Sequence, residues 1–342
     1  MRAGLVGFAG GGKSTLFQLL TGAIPDPGKV HSGQVGVATL VDPRLDFLAE
    51  MHKPKKVTPA HVELLDTPGL LPGTHGDNPQ RLALIREGDA LLIVLGTFAG
   101  GDPVTDLAAF RDEILFADLG VVTNRAERLE ASLKKPRPGL ERDLQLKELH
   151  IVQRVQAVLD AGETIASLGL SEEEKKPMRS FGLLTDKPQV VVLNIAQGQE
   201  VPESMRSLVP DVLAIDAKLE LELSQLEPDE RAVFMADLGI TELGRDRIIR
   251  KAYDAVGIIT FFTAGEPEVR GWNLERGATA VEAAGKIHTD LSKGFIRAEV
   301  TAFEDLVRMG SVKEVKAHHL QRLEGKEYIV KDGDVVYFRS GL

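Results

Sequence analysis

Gly7-Phe8-Ala9-Gly10-Gly11-Gly12-Lys13-Ser14 fits the spacing G-x-x-x-x-G-K-[ST], and the sequence on either side of it decides the fold. An apolar, strand-like run from Ala3 to Gly7 leads in, and a helix-forming run from Thr15 to Leu20 leads out. A strand that opens through glycines into a helix aims several backbone N–H groups and the positive end of the helix at one point. Gly7, Gly10, Gly11 and Gly12 allow that convergence, and Thr15 lies in the first turn beyond it. In such a loop Lys13 neutralises the β- and γ-phosphates of a nucleoside triphosphate, and the Ser14 hydroxyl binds Mg²⁺. The bare spacing also arises by chance in a glycine-rich chain; strand before and helix after make that reading weak.

Working outward, a second apolar run, His61 to Asp66, ends in Asp66-Thr67-Pro68-Gly69. A carboxylate there can hold Mg²⁺ through water, and the Gly69 N–H can meet the γ-phosphate, so the segment that follows senses hydrolysis. Lys13, Asp66 and Gly69 are the candidate catalytic residues. The next residue is Leu70, where a Gln would otherwise orient the attacking water. His75 and Arg81 are in-chain candidates to complete the site. Asn194 ends a third apolar run, where a base-reading loop belongs, but the stretch reads Asn194-Ile195-Ala196-Gln197. It lacks the Lys and carboxylate of the guanine reader N-K-x-D. Gln197 can donate as well as accept, so the chemistry of the loop leaves adenine and guanine both open.

Near-continuous Val/Ile/Leu runs (Ala90 to Leu95, Gln189 to Leu193, Asp211 to Ile215) fit strands buried on both faces of a parallel sheet. Strands alternating with helical patterns make the class α/β, doubly wound, with residues 1–120 and 180–256 forming one discontinuous nucleotide domain. Between them, Leu129 and Leu133, then Leu144, Leu149, Val152, Val155 and Leu159, repeat at helical spacing around Pro136 and Pro138. That predicts two antiparallel helices inserted over 121–179. Ile258 to Phe262, Ile296 to Val300 and Val335 to Phe338 read as strands of a small α+β domain over 257–342.

The 342-residue length fits two or three domains. A net charge of −10 excludes a generic basic face as the source of binding. The strongly apolar stretch Leu91 to Gly100 is well short of the roughly 20 residues a membrane-spanning helix needs, so no membrane partner is expected. Cys is absent, which excludes thiolate chemistry and suits a cytoplasmic protein. A monomer is expected.

The chain resembles the YchF/Obg-like ATPase family of P-loop proteins. The residues that carry the likeness are Phe262-Thr263-Ala264-Gly265-Glu266, Ala284-Gly285-Lys286-Ile287-His288-Thr289-Asp290, Lys293 to Val300 and Asp332-Gly333-Asp334-Val335, which look like that family's C-terminal TGS domain. Asp42-Pro43-Arg44-Leu45, Ile85-Arg86-Glu87 and Leu170 to Glu174 add to it. The resemblance implies a G-domain, a coiled-coil insert and a β-grasp-like TGS domain. It also implies ATP in preference to GTP, Mg²⁺-dependent hydrolysis with a hydrophobic residue in place of the catalytic Gln, and association with the ribosome or its RNA.

The chain departs from the family at the nucleotide. The family's loop carries Pro-Asn-Val where this one has Ala9-Gly10-Gly11, and that Asn supports a potassium ion in related hydrolases. Its first switch supplies a Thr to Mg²⁺; here the region reads Gly28 to Gly33, with Ser32 the candidate stand-in. Its base loop ends in Glu where Gln197 stands. Three functions follow as expectations: an ATPase switch acting on the ribosome, a nucleotide-binding interaction module with little turnover, and a GTPase, which Gln197 disfavours.

Overall fold

The computed structural model describes residues 2–29, 31–72, 78–98, 100–136 and 138–341. Along the chain run β1 (Arg2–Val6), α1 (Lys13–Thr21), β2 (Gln34–Thr39), α2 (Pro43–His52), β3 (Val57–Thr58), β4 (His61–Asp66), α3 (Pro79–Ile85) and β5 (Ala90–Gly96). Next come α4 (Pro103–Leu133), α5 (Gly139–Asp160), α6 (Glu172–Arg179), β6 (Gln189–Asn194), α7 (Glu203–Leu208), β7 (Leu213–Ile215) and α8 (Ala217–Ser224). After α9 (Pro228–Asp237) and α10 (Gly244–Ala255), the chain ends with β8 (Ile258–Ala264), β9 (Val269–Glu275), α11 (Ala280–Ile287), α12 (Thr289–Lys293), β10 (Phe295–Ala302), α13 (Phe303–Met309), α14 (Val312–Ala317), β11 (Arg322–Glu324) and β12 (Asp334–Ser340).

Two compact units result: residues 1–36 with 63–245, and residues 37–62 with 246–342. The first holds a sheet of order β2-β4-β1-β5-β6-β7, parallel from β4 through β7. β5 is buried almost end to end because helices cover both faces, which is why its sequence does not alternate. Strand order reverses direction at β1, and ligands of open α/β sheets bind beyond the carboxyl ends at such a point. The loops that follow β1, β4, β6 and β7 all start from that end.

The helical hairpin is continuous with this unit. α4 is one 31-residue helix, started by Asp102, whose carboxylate accepts from the Val104 and Thr105 N–H groups, with Pro103 in its first turn. Its first half buries Leu107, Phe110 and Ile114 against the sheet, and its second half buries Val122, Ala126 and Leu129 against Val152, Val155 and Leu159 of α5. Residue 121, where the sequence suggested a boundary, therefore lies inside a helix.

The second unit is built on a sheet of order β11-β10-β12-β8-β9-β3, mixed in direction. Residues 37–62 cluster with it although the sequence pattern grouped them with the nucleotide domain. The reason is burial: Leu45 and Leu48 of α2 pack with Phe262, Val269, Leu306 and Val315. Arg44 adds a bridge from Asp42 (2.8 Å) to Asp332 (2.5 Å), joining two motifs that the family resemblance singles out. Trp272 packs against the core of this unit, donates to the Thr263 hydroxyl at 3.0 Å, and carries the Arg270 guanidinium 3.9 Å above its ring.

Candidate nucleotide site

Glycines shape the loop after β1. Gly7, Gly10 and Gly12 hold φ of 132°, 83° and 87°, a region that side chains disfavour. Gly7 also passes so close to β5 that a Cβ would sit 2.5 Å from the Val94 carbonyl oxygen. Gly12 caps α1 without a side chain, so the N–H groups of Lys13, Ser14 and Thr15 open the helix free for a ligand. Asn194 locks the loop in place: its amide donates to the Gly11 carbonyl (3.3 Å) and its Oδ1 accepts from the Ala217 N–H (3.2 Å).

Lys13 is buried, and its ammonium donates to the Phe8 carbonyl at 2.7 Å, closing the loop on itself. Burial pulls its pKa down to about 8; nearby Asp66 opposes the drop and Arg81 adds to it. Ser14 donates to Asp66 Oδ2 at 2.7 Å. Asp66 Oδ1 is buried and has no partner among the described residues. Burial raises the Asp66 pKa, against the Ser14 hydrogen bond and the Lys13 charge.

The turn after β4 is stitched to the phosphate loop. Leu70 donates to the Gly7 carbonyl (3.0 Å), and Ala9 donates to the Leu70 carbonyl (3.1 Å). Thr67 is buried, with its hydroxyl on the Leu5 carbonyl at 2.6 Å. Gly69 cannot be larger: a Cβ would lie 2.6 Å from Ala9 N and 2.8 Å from the Lys13 ammonium. Its N–H has no partner among the described residues, while its carbonyl accepts from Arg81. Leu70 is fully buried among Val6, Phe110 and Ile85, so this side chain faces core rather than phosphate.

A cavity of about 650 Å³ opens between these elements, bounded by Gly10, Lys13, Ser14, Asp66 and Gly69 and closed across by Asp26 and Gln34. It runs on, past Thr15 and Phe98, into a second cavity of about 460 Å³ walled by Asn194, Gln197, Asp216 and Lys218. Gly7 and Gly11 stand behind the loop rather than in the wall. Ser32 is exposed and is not among the residues bounding the cavity. His75 lies outside the described residues.

Three participants escaped the sequence reading. Asp216 caps α8 by accepting from the Leu219 N–H, and with Lys218 it lines the second cavity; an Asp between an apolar run and a helical pattern was the available signal. Gln199 accepts from the Ala196 N–H (2.9 Å) and the Thr97 hydroxyl (2.8 Å), which sets the shape of the loop bearing Gln197. Asp26 holds its own loop by accepting from the Gly28 N–H at 2.8 Å.

A roomier cavity of about 800 Å³ lies on the hairpin between α5 and α6, lined by Leu144, Ile151 and Pro177. Its one helix start carries the reciprocal Ser171–Glu174 cap, and the first turn is formed by three glutamates, which disfavour an anion there.

Comparison with known proteins gives this geometry its relatives. Residues 2–125 match a family described as 50S ribosome-binding GTPase, and residues 258–341 match YchF-GTPase_C, described as a protein of unknown function. The chain is 37% identical to the ribosome-binding ATPase YchF of Haemophilus influenzae, over 99% of this chain and 98% of that protein. It is 34% identical to the Bacillus subtilis protein of the same name (99% of each) and 32% identical to Obg-like ATPase 1 of rice (99% and 92%). The solved YchF GTPase of Schizosaccharomyces pombe matches with a TM-score of 0.87 at 27% identity, over 99% of this chain and 97% of that one. The chain, from its phosphate loop to its C-terminal sheet, belongs to the YchF family.

Proposed function

We propose that this protein is a Mg²⁺-dependent P-loop ATPase whose nucleotide state governs its action on the ribosome. The observation that carries the reading is the convergence of Lys13, Ser14 and an unpartnered Asp66 oxygen on one cavity that ends in a base-sized annex. The first-turn N–H groups of α1 and the Lys13 ammonium hold the β- and γ-phosphates. To do so Lys13 leaves the Phe8 carbonyl, so the loop trades an internal bond for one to the ligand. Ser14 and Asp66 would hold Mg²⁺, which would offset charge on the phosphates. Among the described residues no group of three or more acidic or His side chains could cage a metal alone, which suits a cation brought in with the nucleotide.

Adenine is assigned on the names of the full-length curated relatives, which are called ATPases. The carboxylates of Asp216 and Glu222 line the annex and can accept from the exocyclic amine of either purine, so they do not choose between the bases. The relatives' names divide between ATPase and GTPase, and the curated full-length relatives carry the former. The names of the bacterial relatives support the ribosome as partner and, with it, the reading of a cytoplasmic protein. Gly69, whose N–H has no partner among the described residues, is the contact that senses the γ-phosphate.

Calorimetry with ATP, GTP and their diphosphates, phosphate release with and without Mg²⁺, and sedimentation with ribosomes test the three parts separately. Tighter GTP than ATP sinks the base assignment. Phosphate release at the level of a Lys13→Ala variant leaves a binding module without turnover.

A further inference from the structure

Two cations converge on Gly69. A Cβ on this glycine would meet the Lys13 ammonium at 2.8 Å, and its carbonyl accepts a hydrogen bond from Arg81. Arg81 stands in the first turn of α3, half-buried, and its charge is felt at Lys13, where it is one of the causes of the lowered pKa. The residue after Gly69, from which a polar side chain could reach an attacking water, is Leu70, and it is consumed by the core. Among the described residues, the chain therefore holds a second cation at the turn beside the γ-phosphate position and no water-orienting side chain from that turn. An arginine beside a transferring phosphoryl group stabilises the charge that spreads over its equatorial oxygens.

We propose that Arg81 is a catalytic residue that exchanges the Gly69 carbonyl for the γ-phosphate oxygens and stabilises their charge during transfer. The inference rests on the reading that ATP occupies the cavity. In the step, a water oxygen forms the new bond to the γ-phosphorus. The bond from phosphorus to the β–γ bridging oxygen breaks, and its electron pair stays on the ADP β-phosphate. The water's proton leaves to the phosphate product or to solvent. Arg81 neither gives nor takes a proton, since its guanidinium stays charged. Its planar fork contacts two oxygens at once, which an ammonium cannot do.

The test compares wild type, Arg81→Ala and Arg81→Lys by single-turnover ATP hydrolysis, by calorimetry with a non-hydrolysable ATP analogue, and by capture of ADP with tetrafluoroaluminate. Arg81→Ala is expected to slow turnover on the order of a hundredfold or more, leave analogue affinity unchanged, and lose tetrafluoroaluminate capture. Added guanidinium at a sub-denaturing concentration restores part of the rate, and Arg81→Lys falls between. A wild-type rate in Arg81→Ala overturns the inference. So does a rate loss matched by an equal loss of analogue affinity, or a slow variant that still captures tetrafluoroaluminate, because either assigns Arg81 to shaping the turn. A wild type that binds ATP and releases no phosphate overturns the ATPase reading itself, and this inference with it.

Discussion

Arg86, the residue that closes α3, donates at 2.7 Å to Asp118, whose carboxylate is wholly buried in α4. The same carboxylate accepts from the N–H and hydroxyl of Thr185, both at 2.8 Å, and Arg86 also donates to the Gly182 carbonyl at 2.8 Å. At the other end of α3, Asn78 is buried and donates to Glu113, again on α4, at 3.2 Å. The helix that follows the Gly69 turn is thus bolted at both ends to the helix that builds the hairpin.

Breaking the bolt is costly because one charge stays buried. Arg86→Ala is expected to destabilise the nucleotide-binding unit by about 3–5 kcal/mol, since Asp118 keeps its burial and loses its cation. Scanning calorimetry reads this directly. Of two unfolding transitions, the one raised by added ATP shifts down in the variant, and the other does not move. A shift within experimental error in both transitions shows that Asp118 is already satisfied by Thr185.

Lys13 gives the pH dependence. The phosphates need the ammonium, and in the empty site its pKa is about 8, lowered chiefly by burial. Below pH 7 the free protein already carries the proton, so affinity is flat in that range. Above pH 8 binding must take a proton up, and affinity falls by up to about tenfold per pH unit. Calorimetry in buffers of different ionisation enthalpy counts that proton: none at pH 6.5 and approaching one at pH 9. Equal proton counts at both values would show that Lys13 keeps its charge in the empty loop.

What could be read from the sequence follows how local the physics is. The loop from Gly7 to Ser14 was legible because its glycine turn and helix start are both written in adjacent residues. Asp66 and Asn194 were legible because each ends an apolar run. The company kept by residues 37–62 was not, since Leu45 and Leu48 find their core through strands that pair over long range, Val57 beside Val269. Nor was the fate of Leu70 visible: a missing Gln can be read from the sequence, but not that its replacement is spent on packing. That Asn194 also ties the loop to the scaffold, through Gly11 and Ala217, was not visible either, since both partners are distant in sequence.

Asp66 carries the metal prediction. Asp66→Asn keeps an acceptor for Ser14 and replaces the other oxygen or its neighbour with an amide that cannot hold Mg²⁺ as a carboxylate does. Wild type is expected to bind ATP more tightly with Mg²⁺ than with chelator. In Asp66→Asn that difference shrinks to nothing, while binding in chelator is maintained or improved because a charge facing the phosphates is gone. A variant with the full Mg²⁺ effect would move the metal to other ligands.

Gly10 carries the last. Its φ of 83° lies in the left-handed region, and a Cβ there would meet nothing within 4 Å. Asn is among the few residues that adopt this conformation without a helix or strand to enforce it. The family places Asn at this point, where its side-chain oxygen can join phosphate oxygens around a potassium ion; glycine offers no such oxygen. Wild-type hydrolysis is therefore expected to run at the same rate in potassium and sodium chloride of equal ionic strength. Gly10→Asn fits the open space without disturbing the loop and should make potassium the faster salt, with nucleotide affinity unchanged. If wild type is already faster in potassium, the ion is held by backbone carbonyls of the loop, and the asparagine is dispensable.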